Sequence, residues 1–477
     1  MAIRTGTEYL ESIRDGRNVW LAGDKVADVT THPALAGCAQ ALAETYDLQF
    51  DPAYKDVLTM PSPSTGEPVS AGYLLPRSLE DLQRRRQLTE LLARHSGATA
   101  GRLNEYLSII LVGLYDARDI LAEANPAFAE NATAYFEYCR ENDLCVTHAF
   151  IDPERDRSRP PSDFEFLKVV EKRADGIVIR GGKEVATLSP YSNELVGLTL
   201  GRPGLQPEEV IYFATPVDVK GLKLFCRQSL VPQYPEDHPL SSHWDEMDAL
   251  VVFEDVFIPW ERVFYLRESH PEDMSVYMRL FQRVVAWAGW HILARLAVKA
   301  EVLTGICAAM VDYLGTSKQP PVQLALSDAI VYVETLRALI SAAEHEAVPS
   351  PSGLLMPNPT KVFVGRVYGV QNLPPLLQMM RELCGSGILM SPTEEELKDP
   401  EIGPYIYRFF VGKDERAPER FRMLKLAWDY ACDSFGGRQL LFEMYNARSL
   451  HTNRLGLAAS YDLGPFVRLA KKLAGIE

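Results

Sequence analysis

The cysteines of this chain form no framework. Cys38, Cys139, Cys145, Cys226, Cys307, Cys384 and Cys432 are scattered without a CxxC pair, so free, mostly buried thiols are expected rather than disulfides or thiolate metal sites. The nine histidines offer no HExxH or similar ligand spacing, and no metal is implied. No GxGxxG follows a strand-like run and no GxxxxGKS/T occurs, which excludes a Rossmann nicotinamide site and a P-loop. Long apolar runs are missing, as is a signal-peptide pattern after Met1, so the expected compartment is the cytoplasm. Basic residues are in the minority: 49 Lys and Arg against 64 Asp and Glu give a net charge of −15, unsuited to nucleic acid or an anionic membrane.

What is present is globular. Hydrophobic residues make up 47% of the chain and charged residues 24%, and 477 residues allow about three domains. The stretch Trp244 to Phe264 divides two kinds of pattern. In it, Ala249 to Phe253 and Val256 to Ile258 read as apolar β runs separated by a turn at Glu254-Asp255.

Before it come a short helix pattern with Tyr9, Leu10 and Ile13, a small hairpin around Ala22-Gly23, and a helical run from His32-Pro33. Further helices are expected over 79–93, 100–122 and 126–142, the last with an Asn125 cap and Pro126 in its first turn. After Asn142 the period shortens. Strands are expected at 144–146, leading into Thr147-His148 and a loop, and at 166–170, 176–180, 185–188, 194–198, 210–215, 222–226 and 249–253, an antiparallel β region rather than alternating βαβ. From Met274 the pattern is helical again, with helices beyond the first expected at 322–347, 358–383, 417–445 and 465–474. These make a bundle of four or five long amphipathic helices.

Few residues announce chemistry. Gly385-Ser386-Gly387 and Gly436-Gly437 read as helix caps or close-packing sites. Arg102 and Tyr106, four apart on an expected helix, share a face that could polarise an oxyanion, although an exposed Arg stacked on a Tyr is the commoner arrangement. His148, after a strand, is equally open to a structural or a catalytic reading.

Several motifs taken together resemble one family. They are Arg4-Thr-Gly-Thr-Glu-Tyr-Leu10, Asp28-Val-Thr-Thr-His-Pro33, Gly101-Arg102 with Tyr106, Thr147-His-Ala149 with Pro153 and Asp156-Arg157, and Ala186-Thr-Leu188 with Pro190. Phe253-Glu-Asp-Val-Phe-Ile-Pro-Trp-Glu-Arg-Val263, Arg381-Glu-Leu-Cys-Gly385, Leu426-Ala-Trp-Asp429 and Gly436-Gly-Arg-Gln439 follow in the same order. The chain resembles, nearly end to end, the oxygenase component of 4-hydroxyphenylacetate 3-monooxygenase and its chlorophenol- and tyrosine-hydroxylating relatives.

That resemblance implies an α+β, acyl-CoA-dehydrogenase-like fold: a helical N-domain (1–143), a central antiparallel β-barrel (144–268) and a C-terminal four-helix bundle (269–477), assembled as a homotetramer. It implies reduced, diffusible FAD supplied by a separate NAD(P)H-flavin reductase, O₂ as co-substrate, and hydroxylation of a phenol ortho to its hydroxyl through a flavin hydroperoxide. By the same resemblance Arg102, Tyr106 and His148 surround the phenolic oxygen, with His148 drawing its proton and also meeting the flavin. Glu154, Arg155, Asp156, Arg157, Thr187, Asn446, Ala447, Arg448 and Ser449 would contact FAD, and Thr199 and Leu200 would border the substrate.

Two departures bear on the substrate. Leu103-Asn104-Glu105 stands where relatives carry a small residue, proline and aspartate, and Trp290-His291 stands where a smaller or amide pair is usual, so a substituted or carrier-bound phenol is open. The related 4-hydroxybutyryl-CoA dehydratases hold an iron–sulfur cluster and carry a Cys seven residues after a His. Here that position is Val298, so cluster chemistry is not expected. An acyl-CoA-dehydrogenase-like enzyme and a non-catalytic scaffold that kept the fold are the remaining alternatives. Only the scaffold would fail to bind flavin.

Overall fold

The computed structural model describes residues 2–201, 204–267, 275–413, 417–446 and 449–476. The chain opens with helix α1 (Gly6–Ser12), the hairpin β1 (Val19–Leu21) and β2 (Asp24–Val26), helices α2 (Ala36–Asp47) and α3 (Lys55–Leu58), and a hairpin of β3 (Thr59–Pro61) and β4 (Pro68–Ser70). Ala22 (φ 54°) and Gly23 (φ 93°) make the first hairpin's tight turn, where two left-handed residues match the twist of the strands.

Helices α4 (Leu79–His95), α5 (Asn104–Asp116), α6 (Arg118–Ala124) and α7 (Pro126–Glu141) follow. Ser78 and Asp81 start α4 with a reciprocal capping box, and Asn125 accepts from the Ala127 N–H at the start of α7. The helix expected over 100–122 is two helices meeting at Ala117, and it begins late. Leu103 is extended (ψ 159°), so Arg102 lies outside α5 and shares no helical face with Tyr106.

The β region comprises β5 (Val146–Ala149), β6 (Lys168–Lys172), β7 (Gly176–Lys183), β8 (Glu194–Leu198), β9 (Ile211–Pro216), β10 (Leu222–Cys226), β11 (Ala249–Pro259) and β12 (Val263–Leu266). Among the described residues these strands form two sheets, β2-β1-β10-β11-β7-β6 and β12-β9-β8-β5, and not the closed antiparallel barrel expected. Two ladders are parallel. β1 joins β10, and β5 joins β8 with His148 opposite Val196, because the chain between β5 and β8 crosses through the other sheet.

Two local expectations are also corrected. Val185 to Leu188 is a bend with Val185 (φ 54°) and Leu188 (φ 72°) left-handed, so its β-branched composition does not make a strand. Glu254-Asp255 is no turn between two runs but a bulge within one strand: Phe253 pairs with Gly181 and Val256 with Ile179, and Asp255 takes the extra residue at φ 51°.

The last part holds α8 (Ser275–Tyr313), α9 (Pro320–His345), a short hairpin of β13 (Val348–Pro349) and β14 (Leu355–Met356), α10 (Pro359–Cys384), α11 (Glu394–Lys398), α12 (Gly403–Phe409), α13 (Ala417–Ala431), α14 (Ser434–Asn446), α15 (Leu450–Ser460) and α16 (Gly464–Leu473). The helix expected over 417–445 is broken at Cys432-Asp433, where Asp433 accepts from the Gly436 N–H to begin α14. α8 packs against α5, α9 and α10, and every residue from Ala286 to Ala300 on it is buried. Gly113 permits the α5–α8 crossing, since a Cβ there would lie 2.9 Å from Val284 Cα. This crossing brings the start of α5, which carries Tyr106, against the middle of α8, which carries His291.

Candidate active site

Arg102, Tyr106 and His148 converge although no single element carries two of them. Arg102 Nε donates to His148 Nε2 at 2.9 Å, and its guanidinium carbon lies 4.0 Å from the Tyr106 ring centroid. Tyr106 meets His148 edge-on at 6.1 Å, and all three residues are buried. The Arg-on-Tyr stack is therefore present, but it is desolvated, which strengthens its electrostatics.

An arginine can only donate, so His148 Nε2 must be the acceptor and the ring proton sits on Nδ1. Burial first, and then the Arg102 charge, pushes the His148 pKa down to about 3, so the imidazole is neutral. Its Nδ1 is buried and has no hydrogen-bond partner. His148 thus offers an unclaimed N–H, and the lone pair needed to draw a proton is already taken.

A second histidine, visible in the sequence only as a departure from the family pattern, stands on the other side of Tyr106. The His291 and Tyr106 rings are 5.2 Å apart, and His291 Nε2 faces Glu105 Oε1 at 3.4 Å. Glu105 and His291 are buried, and His291 Nδ1 has no partner. With Nε2–H given to Glu105, Nδ1 keeps its lone pair. Burial lowers the His291 pKa, which leaves that lone pair unprotonated. The two imidazoles carry opposite tautomers, one presenting a donor and the other an acceptor.

Beneath them lies a buried charge network. Glu246 Oε1 accepts from the Arg102 backbone N–H at 2.6 Å, and Arg438 joins Glu246 to Asp248. Against the burial that would raise it, Arg438 and Arg227 hold the Asp248 carboxyl well below the usual range. Arg295 and Lys299 on α8 grip Glu443 on α14. Phe442, one residue earlier, lies 5.0 Å from Arg102 Cζ, 5.4 Å from that of Arg295 and 4.7 Å from that of Arg438. It rests on Gly101, where a Cβ would come within 2.1 Å of its ring. No local pattern marks Phe442, because Gly101, Arg102 and Arg295 reach it from distant parts of the chain and only Arg438 shares its helix.

The residues expected at the flavin are distributed more loosely. Glu154, Arg155, Asp156 and Arg157 occupy the loop that leaves β5 just after His148. Arg157 pairs with Glu154 while both are largely exposed, Asp156 accepts from the Ser158 N–H, and Arg155 lies 4.3 Å from the Phe166 ring. Thr187 is buried and donates to Asp248 Oδ1. Asn446, one helical turn beyond Phe442, has both amide atoms buried without partners. Ser449 caps α15 by accepting from the Thr452 N–H at 3.2 Å, and Ala447 and Arg448 lie outside the described residues.

Thr199 is spoken for, its hydroxyl donating to the Glu209 carbonyl and its own carbonyl accepting from Tyr277; Leu200 is half-buried beside it. Away from the site, His238, Asp429 and Asp433 bring possible ligand atoms within 4.8 Å of one another. Both Asp429 oxygens are already engaged, Oδ1 by His238 and Oδ2 by the Leu240 and Ser241 N–H groups.

This constellation has relatives. The description 4-hydroxyphenylacetate 3-hydroxylase N terminal matches residues 5–265, and its C-terminal counterpart matches residues 279–475. The chain is 34% identical to the oxygenase component of 4-nitrophenol 4-monooxygenase/4-nitrocatechol 2-monooxygenase of Rhodococcus opacus, over 99% of this chain and 91% of that protein. A crystal structure of the oxygenase component of 4-hydroxyphenylacetate 3-monooxygenase, complexed with FAD and 4-hydroxyphenylacetate, superposes with a TM-score of 0.92 at 33% identity. It covers 99% of this chain and 100% of that one. A 4-hydroxybutyryl-CoA dehydratase from N. maritimus (TM-score 0.88, 23% identity, 100% of this chain and 95% of that one) shares the fold alone. Both halves match one family over nearly all their length, and the chain belongs to the 4-hydroxyphenylacetate 3-hydroxylase family.

Proposed function

We propose that this protein is the oxygenase component of a two-component flavin monooxygenase. It takes up reduced FAD from a separate NAD(P)H-flavin reductase and, with O₂, hydroxylates a phenol ortho to its hydroxyl. The observation that carries this reading is the buried Arg102 guanidinium at the Tyr106 ring, flanked by two imidazoles of opposite tautomer. When bound, reduced FAD supplies the activation of O₂ and an electrophilic oxygen atom.

The residues fit such a cofactor in the donors they offer. The Asn446 amide is buried with neither atom paired, and the half-buried Arg155 and exposed Arg157 stand in the loop that leaves the strand carrying His148. Everything else is work for the chain's own groups. His291 Nδ1 accepts the phenolic proton, with Glu105 orienting the ring through Nε2. Arg102 stabilises the phenolate, whose charge enriches the ring carbons ortho and para to it. His148 donates its Nδ1–H toward the substrate oxygen and Tyr106 adds a hydroxyl, which replaces the expected proton-drawing role of His148. Phe442, packed on Arg102 and Gly101, closes the site against water.

The wider reading keeps the acyl-CoA-dehydrogenase-like division into residues 1–143, 144–268 and 269–477, with the β1–β2 hairpin lent to the central sheet. A homotetramer is supported by α16, on which no residue is buried and Phe466, Val467, Leu469 and Leu473 are exposed. The substrate is a free or carrier-bound phenol, and the compartment is the cytoplasm.

The test is a product screen of phenols, 4-nitrophenol and 4-hydroxyphenylacetate included, with NADH, FAD and a generic flavin reductase. We expect hydroxylated product from at least one phenol and none without the reductase. His291→Asn should lower product formation roughly 10²-fold near neutral pH. The loss should shrink as pH rises through the phenol's own pKa, because an ionised phenol needs no base. Peroxide as the only product with every phenol, or failure to bind reduced FAD, would leave a scaffold as the better description.

A further inference from the structure

Arg438 belongs to Gly436-Gly-Arg-Gln439, a motif to which the reaction above gives no task. Its guanidinium spans two carboxylates. Nη2 and Nε donate to Asp248 Oδ1 and Oδ2 at 2.7 and 3.0 Å, and Nη1 donates to Glu246 Oε2 at 3.2 Å. All three guanidinium nitrogens donate, a geometry that a lysine cannot copy.

Each carboxylate also holds something else. Asp248 Oδ1 accepts from the Thr187 hydroxyl, and Glu246 Oε1 accepts from the Arg102 backbone N–H. A continuous polar chain therefore runs from Thr187 through Asp248, Arg438 and Glu246 to Arg102. It joins a residue proposed to meet the flavin to the one proposed to meet the phenol. A second contact reinforces it, since Phe442 lies against both Arg438 and Arg102.

We infer that Arg438 is a positioning residue that makes the binding of reduced flavin and of phenol mutually dependent, an inference that rests on the proposed function. Asp245, Glu246 and Asp248 gather in one buried place, faced by Arg227 and Arg438, with Arg102 alongside. Without Arg438, Glu246 Oε2 loses its cation. The Glu246 charge already acts on Arg102, so the Arg102 side chain becomes its replacement partner and leaves both His148 Nε2 and the phenol. In the intact protein, a flavin that engages Thr187 steadies Asp248, and the rigid fork passes that restraint to Glu246 and Arg102. Whatever one ligand gains from this, the other gains equally.

The experiment uses the full chain under anaerobic conditions. The dissociation constant of 4-nitrophenol is measured by equilibrium dialysis with and without saturating reduced FAD. We expect reduced FAD to tighten phenol binding about tenfold in the unaltered protein, within the usual range of coupling between sites. Arg438→Gln should bring that factor close to one, and Arg438→Lys, which restores charge but not the fork, should rescue it only in part. A general structural defect would weaken both ligands and leave the factor alone. Thr187→Val cuts the chain at its other end and should abolish the factor too. Retention of the factor in Arg438→Gln, or in Thr187→Val where the glutamine variant does not fold, overturns the inference, as does a factor of one in the unaltered protein. Failure of the unaltered protein to bind reduced FAD or any phenol would overturn the proposed function instead.

Discussion

Two regions of this molecule are built from the same residue types and do opposite things with them. Around Arg102, the charges of Arg295, Lys299, Glu443 and Glu246 are buried, those of Arg438 and Asp248 nearly so, and they are matched oxygen by nitrogen. In the loop after β5, Arg157 and Glu154 pair at 2.8 Å with side chains 80% and 72% exposed. Water screens the second set and not the first. The buried set can hold a guanidinium in one orientation. The exposed set is free to let go of itself when an anionic ligand arrives.

Breaking the buried set should have the largest effect. Glu443→Ala leaves Arg295 and Lys299 buried without their shared carboxylate, and we expect a loss of about 3–5 kcal/mol in stability, read from chemical denaturation. The pH dependence carries the same signature. Against burial, which raises it, Arg295 and Lys299 hold the Glu443 carboxyl at about 2, below its ordinary value of 4.5. A depressed carboxyl contributes stability that is present above its unfolded pKa and lost as pH falls through the folded one. Unfolding free energy should therefore drop between pH 4.5 and about 2, and with a shallower slope in Glu443→Gln.

The half-buried cluster of His238, Asp429 and Asp433 sharpens the contrast by reversing the sign. Burial first, and then the Asp429 carboxylate, raises the Asp433 carboxyl from 3.8 to about 6, while the Gly436 N–H and His238 oppose the rise. A raised carboxyl contributes stability below its unfolded pKa that is lost as pH rises through the folded value. This group should therefore weaken the fold between pH 3.8 and about 6. Asp433→Asn should flatten that part of the profile, with a gain of about 1 kcal/mol at pH 7, a fraction of the full linkage because the group is partly solvated. Thermal midpoints across that range, compared between the two proteins, measure it. A steeper decline in the variant would mean that the α14 cap, not the titration, dominates.

The same contrast explains what could be seen in the sequence. Periodicity located the helices, and the strands at 194–198 and 222–226 lie where alternation and turn residues put them. Local pattern failed where tertiary contacts decide. Arg102 leaves the helix and gives its backbone N–H to Glu246, and the chain bends at Val185 and Leu188 although Val185 and Thr187 favour strands. The sheets stay open because the β1–β2 hairpin pairs onto β10 from the far end of the chain. Arg102, Tyr106 and His148 came from motif resemblance, which carries no distances and so could not give tautomers. Glu105 and His291 were visible separately as departures from the family pattern. Their pairing across 186 residues depends on the α5–α8 crossing, which no local reading supplies.

The smallest effect belongs to the exposed loop. Arg157→Ala removes an ion pair that competes with bulk water on both sides, and long exposed side chains lose about as much in entropy as they gain in attraction. The thermal midpoint should not move measurably. If the loop serves the flavin, the substitution should act there: the concentration of reduced FAD needed for half-maximal turnover should rise about fivefold, the scale of one charge-assisted hydrogen bond. The yield of hydroxylated product per NADH at saturating flavin should stay the same, because neither Arg102 nor either imidazole touches Arg157. A fall in yield with unchanged flavin dependence would assign the loop to shielding the site from water. A clear drop in stability would mean that Arg157 and Glu154 behave like the buried set, and the division between the two kinds of charge would fail.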